Sequence, residues 1–275
     1  MDLSAFVDEL PAAYDGDFYG TLPSDRFDAV VASVDGMSTA HSLTLLNEAV
    51  RHLGPDEYYL EVGSYRGRSL IGAMLGHDHD RFVAIENFRE FGVPVDEAEH
   101  LVLQTLLEWG VRYRVRFLRG EAFRMLPRGV LPGPVGVYFY DGAHSRLAQY
   151  LGLALAEPWL ADNALVIVDD SSWPQVASST RSYMDAHPGY ELLFDFRAKE
   201  DFDPLWCNGV KVFAWRRPQV WSPPQGSDVL WRKMMHLYVH EPAFHLAWQV
   251  VPRYPRVLAA LKRTYHHGGS SVPTR

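Results

Sequence analysis

The sequence predicts a doubly wound α/β fold: a seven-stranded, mostly parallel sheet with helices on both faces, an N-terminal helical cap and a C-terminal helical extension. Three observations carry this expectation. Short apolar runs alternate with helix-length segments between residues 58 and 216. Runs such as ALVIVDD are apolar almost throughout, the pattern of strands buried on both faces. The first run leads into a turn with two glycines and then a helical segment, in YYLEVGSYRGRS followed by LIGAML. Strand, glycine turn and helix together form a nucleotide-type binding unit, in which glycine lets backbone approach a ligand.

Residues 1–57 form the cap, with apolar residues at helical spacing in 24–34 and 39–53 (Leu43, Leu46, Val50, Leu53) and a stop at Gly54-Pro55. Strands are expected at 58–62, 81–86, 113–118, 135–141, 164–169, 190–196 and 209–215, and helices at 69–75, 95–109, 146–157 and 175–187. Residues 58–216 are then one α/β domain. The proline-rich RPQVWSPP opens the extension, 217–275, whose short helices are interrupted by Pro242, Pro252 and Pro255. The extension is basic from Ser227 onward, although the whole chain is acidic.

The chain has 275 residues, 47% of them hydrophobic, enough for one large domain with additions or two small ones. A net charge of −8 argues against general affinity for nucleic-acid phosphates. Cys207 is the single cysteine, so no internal disulfide forms and a cytoplasmic setting is expected. The acidic N-terminus lacks the basic start and apolar run of a signal peptide, and no apolar run is long enough to span a bilayer.

Chemistry enters with Glu86, which ends the second strand nineteen residues past Gly67. In doubly wound nucleotide sites an acid about 20 residues beyond the glycines binds ribose hydroxyls. The alternative is a solvated strand-end carboxylate. The turn, E-x-G-x-x-x-G, is wider than the G-x-G-x-x-G of pyrophosphate binders and suits a ligand without phosphates.

EVGSYRGRS, AIEN, RGEA, FYDGAHS and VIVDD, in that order, resemble the class I S-adenosylmethionine-dependent methyltransferases with their Rossmann-like fold. Within that superfamily the chain is similar to metal-dependent O-methyltransferases of natural-product sugars, of the macrocin and mycinamicin type. The resemblance covers about residues 58–216. It implies that Glu61, Gly63, Ser64, Gly67 and Ser69 surround the methionine part of S-adenosylmethionine, that Glu86 binds the ribose, and that Gly120, Glu121 and Ala122 frame the adenine. It also implies that Asp141 lies under the sulfonium. Glu121 has a competing role as a helix N-terminal acid.

Asp141 and the pair Asp169-Asp170 end two strands that the fold makes neighbours, at the edge where open α/β sheets bind ligands. Three converging carboxylates repel unless a cation sits among them, and oxygen-only ligands suit Mg²⁺ or Ca²⁺. The resemblance agrees, since the sugar methyltransferases hold a divalent metal on the matching aspartates. The alternative is that Asp169 and Asp170 cap the next helix. His144, in DGAH, is the candidate base for the departing hydroxyl proton. Some members of the resembled branch have DGD here, with the second Asp as candidate base, but this chain has Ala143 at that place. The alternative for His144 is a cap on the helix beginning near Ser145.

Other features read as structural. His77–Asp80 (HDHD) lies in a helix-to-strand connection on the opposite edge. His236, His240 and His245 have ligand-like spacing, but no cysteine or strong carboxylate set completes a zinc site. Trp231, Tyr238, Phe244, Trp248 and Tyr254 suit a core or an interface between copies of the chain.

The expected function is O-methylation of a hydroxyl on a small-molecule acceptor, such as a natural-product sugar, with no nucleic-acid or membrane partner. Two alternatives stand beside it: a metal-independent methyltransferase acting on a phenol or amine, and a non-catalytic S-adenosylmethionine-binding protein. The wide turn disfavours a nicotinamide-dependent dehydrogenase.

Overall fold

The computed structural model describes residues 1–89, 93–224 and 226–243. The strands are β1 Tyr58–Val62, β2 Phe82–Glu86, β3 Val115–Arg119, β4 Val135–Tyr140, β5 Leu160–Val168, β6 Tyr190–Phe196 and β7 Val210–Arg216. They form one sheet in the order β3-β2-β1-β4-β5-β7-β6. The first five are parallel, and β7 runs antiparallel between β5 and β6. Parallel neighbours need a crossover, usually helical, whereas β6 and β7 are joined by the helix-free segment 197–209 and therefore reverse. Strand order switches direction between β1 and β4, which opens a crevice at their C-terminal ends.

The helices are α1 Leu3–Glu9, α2 Asp28–Ser33, α3 Ala40–Arg51, α4 Arg68–Met74, α5 Val95–Glu108, α6 Ala122–Met125, α7 Arg146–Ala156, α8 Pro174–Ala186 and α9 Ser227–Met235. A π-helical turn, His236–His240, continues α9. Two helices were not expected from the sequence. In α1, Asp2 accepts from Ala5 N at 3.0 Å, and Leu3, Phe6 and Leu10 recur on one buried face. α6 is too short to show a period. β5 begins at Leu160 rather than at 164, because its exposed Asp162 and Asn163 interrupt the apolar pattern without breaking the pairing of Asn163 with Arg216.

Side chains alternate between the faces of the sheet. Tyr59, Phe82, Ala84, Val137, Phe139, Leu165, Ile167, Val212 and Ala214 join the core that includes α1 to α5. Leu60, Val62, Val83, Ile85, Tyr138, Tyr140, Val166, Val168 and Trp215 join the core beneath α6, α7 and α8. Both faces are therefore dry, as the continuous apolar strands require.

The N-terminal region is built into the first of these cores. Leu43 of α3 lies so close to α4 that a Cβ on Gly72 would meet its Cδ2 at 2.6 Å. Buried Asn47 donates Nδ2 to Gly72 O at 2.8 Å and to Leu75 O at 2.9 Å, satisfying carbonyls at the end of α4. Trp206, fully buried, stacks on Phe196 at 4.0 Å and donates Nε1 to Phe18 O at 2.9 Å. These contacts pin the β6–β7 connection against the N-terminal segment. His245 and the segments around Pro252 and Pro255 lie outside the described residues. No helix among the described residues is long and apolar enough to cross a membrane.

Candidate active site

The glycine turn joins β1 to α4 at the switch point. Gly63 has φ +89°, and a Cβ there would stand 2.0 Å from Asp141 O, so the end of β4 passes directly against the turn. Only glycine permits both the dihedral and the approach. Gly67, at φ +88°, starts α4. Beneath the turn Glu61 is fully buried; its carboxylate accepts from Tyr59 Oη at 2.6 Å and Ser69 Oγ at 3.0 Å. Burial pushes its pKa up to about 7, against the pull of the hydrogen bonds from Tyr59 and Ser69.

Glu86, at the end of β2, bends back over the turn. Its Oε2 accepts from Ser64 N and Tyr65 N, both at 3.0 Å, and its Oε1 accepts from Phe88 N at 2.8 Å. It is thus not a merely solvated acid, because it shapes the backbone of the turn. Burial raises its pKa in spite of these donors. At the end of β3, Gly120 donates to Glu86 O at 2.9 Å, and Ala122 is buried. Glu121 is the N-cap of α6, accepting from Phe123 N at 3.5 Å, so its competing role as a helix-start acid is realised.

The second half of the site comes from β4 and β5. Asp141 N donates to Val62 O at 2.9 Å and Asp169 N to Tyr140 O at 3.1 Å, which places both acids one residue past the paired strands. His144 Nε2 lies 3.0 Å from Asp170 Oδ2. Ligand atoms of Asp141, His144 and Asp170 all lie within 4.8 Å of one another. Asp169 stands outside that set, with its Oδ1 accepting from Asp170 N at 2.9 Å. Burial, then the neighbouring Asp169 and Asp170, holds Asp141 well above the usual carboxylate range. Burial and Asp170 push Asp169 up to about 7.

Both capping alternatives fail here. Ser145, not His144, caps α7 by accepting from Ala148 N at 3.1 Å. The N-cap of α8 is Trp173, with no side-chain cap bond, so the aspartate pair is not a helix cap. His144 instead lies edge-on to Trp173, with ring centroids 5.1 Å apart.

Residues 60–171 match the family described as a methyltransferase domain. The matched stretch runs from β1 to just past β5. No curated protein matches the sequence. Among solved structures, cofactor-bound Rv0187 from MTB superposes with a TM-score of 0.56 at 19% identity, over 79% of this chain and 97% of that one. The O-methyltransferase from Bacillus cereus in complex with SAH gives a TM-score of 0.53 at 13% identity, over 76% and 100%. SAH-bound methyltransferase PaMTH1 from Podospora anserina gives 0.53 at 15% identity, over 79% and 98%. At these identities the likeness is one of fold: the Rossmann-like fold of S-adenosylmethionine-dependent methyltransferases.

One residue at this site, Asn208, belongs to no motif, and the conformation of another, Asp170, is not written in the sequence. Asn208 is 2% exposed and donates Nδ2 to Asp170 Oδ1 at 2.7 Å. It comes from the KEDFDPLWCN connection, which matches no motif, although a polar residue after buried Trp206 and Cys207 was a faint cue. Asp170 itself has φ +52°, a left-handed conformation that aims its carboxylate at both partners. At the C-terminal extension, where no carboxylate set was expected to complete a zinc site with the histidines, Glu121 and Glu241 approach His236. His77 and His79 are structural as expected: His77 Nε2 lies 3.2 Å from Asn47 O, and His79 stacks on Phe82 at 4.7 Å.

Proposed function

We propose that this methyltransferase transfers the methyl group of S-adenosylmethionine to a hydroxyl of a small-molecule acceptor, a natural-product sugar, with His144 taking the proton. The observation that carries the proposal is the 3.0 Å contact of His144 Nε2 with Asp170 Oδ2, at the strand end whose Asp141 packs against the glycine turn.

The donor set suits the methyl donor. Glu61, Glu86, Asp141, Asp169 and Asp170 make the site strongly acidic, which favours a sulfonium cation and disfavours a phosphate-bearing ligand. Glu86 holds the turn through both carboxylate oxygens, and Oε1, with a single backbone donor, keeps a lone pair for a ribose hydroxyl. When bound, S-adenosylmethionine supplies an electrophilic methyl on sulfur. The residues around it hold donor and acceptor oxygen in line. Asp170 Oδ2 orients the His144 imidazole through Nε2, the arrangement of a general base for the acceptor's hydroxyl proton.

The residues also fit a divalent cation. Asp141 and Asp170 would hold it, with Asp169 or His144 completing the set, and it would relieve the repulsion that raises Asp141 and Asp169. Such a cation supplies a Lewis acid that lowers the acceptor's pKa. The His144–Asp170 pair works without it as well, which favours a metal-independent reaction on a phenol or amine as the second reading.

Calorimetric titration with S-adenosylmethionine, with and without Mg²⁺, tests the donor; absence of heat in both would refute the proposal. Turnover of hydroxyl-bearing acceptors, followed as S-adenosylhomocysteine release, then separates the readings. Loss of turnover in EDTA with recovery in Mg²⁺ supports the cation, and turnover unaffected by EDTA supports the metal-independent reaction.

A further inference from the structure

A second group of side chains stands at the ends of β2 and β3, away from Asp141 and His144. Glu121 at the start of α6, His236 at the start of the π-helical turn and Glu241 just beyond it place one ligand atom each within 4.8 Å of one another. His236 is only 6% exposed, and its Nδ1 is buried without a hydrogen-bond partner. A buried unpaired imidazole nitrogen is costly unless something binds it.

Each of the three side chains is also braced by a neighbour. Asn87 Nδ2 donates to Glu121 Oε2 at 3.4 Å. Arg89 Nη1 pairs with Glu241 Oε1. The Phe123 ring meets the His236 ring edge-on, with centroids 4.8 Å apart. Outer partners that orient ligands in this way are usual around metal sites.

We propose that Glu121, His236 and Glu241 form a zinc site that fastens the C-terminal extension to the methyltransferase domain. One imidazole and two carboxylates are a borderline donor set that suits Zn²⁺ better than Mg²⁺, and three protein ligands leave one tetrahedral position for water. Zinc–ligand bonds of about 2.0–2.2 Å bring ligand atoms to within about 3.3 Å of each other, so small side-chain rotations close the site. The ion would neutralise two glutamates that otherwise repel across the seam. It would also tie the extension to Glu121, at the rim where the adenine is expected, through a contact separate from the reacting centre.

The test is Zn²⁺ titration of the EDTA-treated, desalted full chain against a zinc indicator, in excess Mg²⁺, for the wild type and for His236→Ala, Glu241→Gln and His144→Ala. The expected result is one tight site in the wild type and in His144→Ala, weakened tenfold or more in His236→Ala and Glu241→Gln. Zinc should also raise the Tm of the wild type but not of His236→Ala. Circular dichroism establishes that the variants are folded, and the half-buried Glu241→Gln serves if His236→Ala is not. No zinc uptake overturns the proposal. So does uptake that survives both His236→Ala and Glu241→Gln but is lost in His144→Ala, which would place the ion on Asp141, His144 and Asp170.

Discussion

Asn208 Nδ2 donates to Asp170 Oδ1 at 2.7 Å, on the opposite carboxylate oxygen from the one that meets His144. Asn208 is itself held, because its Oδ1 accepts from Phe202 N at 3.0 Å. The carboxylate is thus clamped between a buried amide and the imidazole. Asn208→Leu should lower kcat by tenfold or more while leaving the Kd for S-adenosylmethionine within about twofold, since an unclamped carboxylate costs about 1–3 kcal/mol of orientation. Steady-state kinetics paired with calorimetry measure the split. A large rise in Kd with unchanged kcat would contradict it.

His144→Ala should cost about 10²- to 10⁴-fold in kcat, the usual contribution of a general base. Asp170→Asn should lower kcat less, because the amide oxygen can still meet His144 Nε2 and hold the ring in place. Full activity in His144→Ala would assign the proton to another group.

Gly63→Ala places a methyl 2.0 Å from Asp141 O in a backbone with φ +89°. The expected loss is about 3 kcal/mol of unfolding free energy or more, read as a lower denaturant midpoint. Methyl donor affinity should fall with it, since the clash pushes apart the turn and the end of β4.

Glu61 links stability to pH. Its folded-state pKa is raised from 4.5 to about 7, chiefly by burial, so the folded protein keeps this proton longer than the unfolded chain does. The resulting stabilisation is complete below the unfolded value and is lost as pH rises through about 7. The loss amounts to about 3 kcal/mol for this group. Denaturant unfolding at pH 5 and pH 8 should show the decline, and Glu61→Gln, which needs no ionisation, should flatten it. An unchanged slope in Glu61→Gln would rule this source out.

Much of the fold and part of the site were legible because they rest on local patterns. The apolar runs at Tyr58–Val62 and Tyr190–Phe196 are the observed strands, residue for residue. The turn glycines and Glu86, nineteen residues past Gly67, meet at one strand edge, where Glu86 accepts from the turn backbone. Element ends were less clear where polar residues enter a strand, as at Asp162 and Asn163. α1 was obscured by the nearby Pro11 and Gly16, although Asp2 and the spacing of Leu3, Phe6 and Leu10 supply its cap and its apolar face.

By itself the sequence determined the doubly wound sheet, the place of the glycine turn, and the acids Asp141, Asp169 and Asp170 at the neighbouring strand ends. Periodicity and glycine placement are properties of adjacent residues, and they survive without a fold. Only the tertiary structure decided that His144 pairs with Asp170 rather than capping α7, that Asn208 clamps the same carboxylate, and that Glu121 meets His236 and Glu241. These partners are far apart in sequence or set by one unusual dihedral, such as φ +52° at Asp170, and no local pattern encodes them. They come together because β4, β5 and β7 pack side by side and because α9 packs against α7 while its π-helical continuation meets α6 at Phe123.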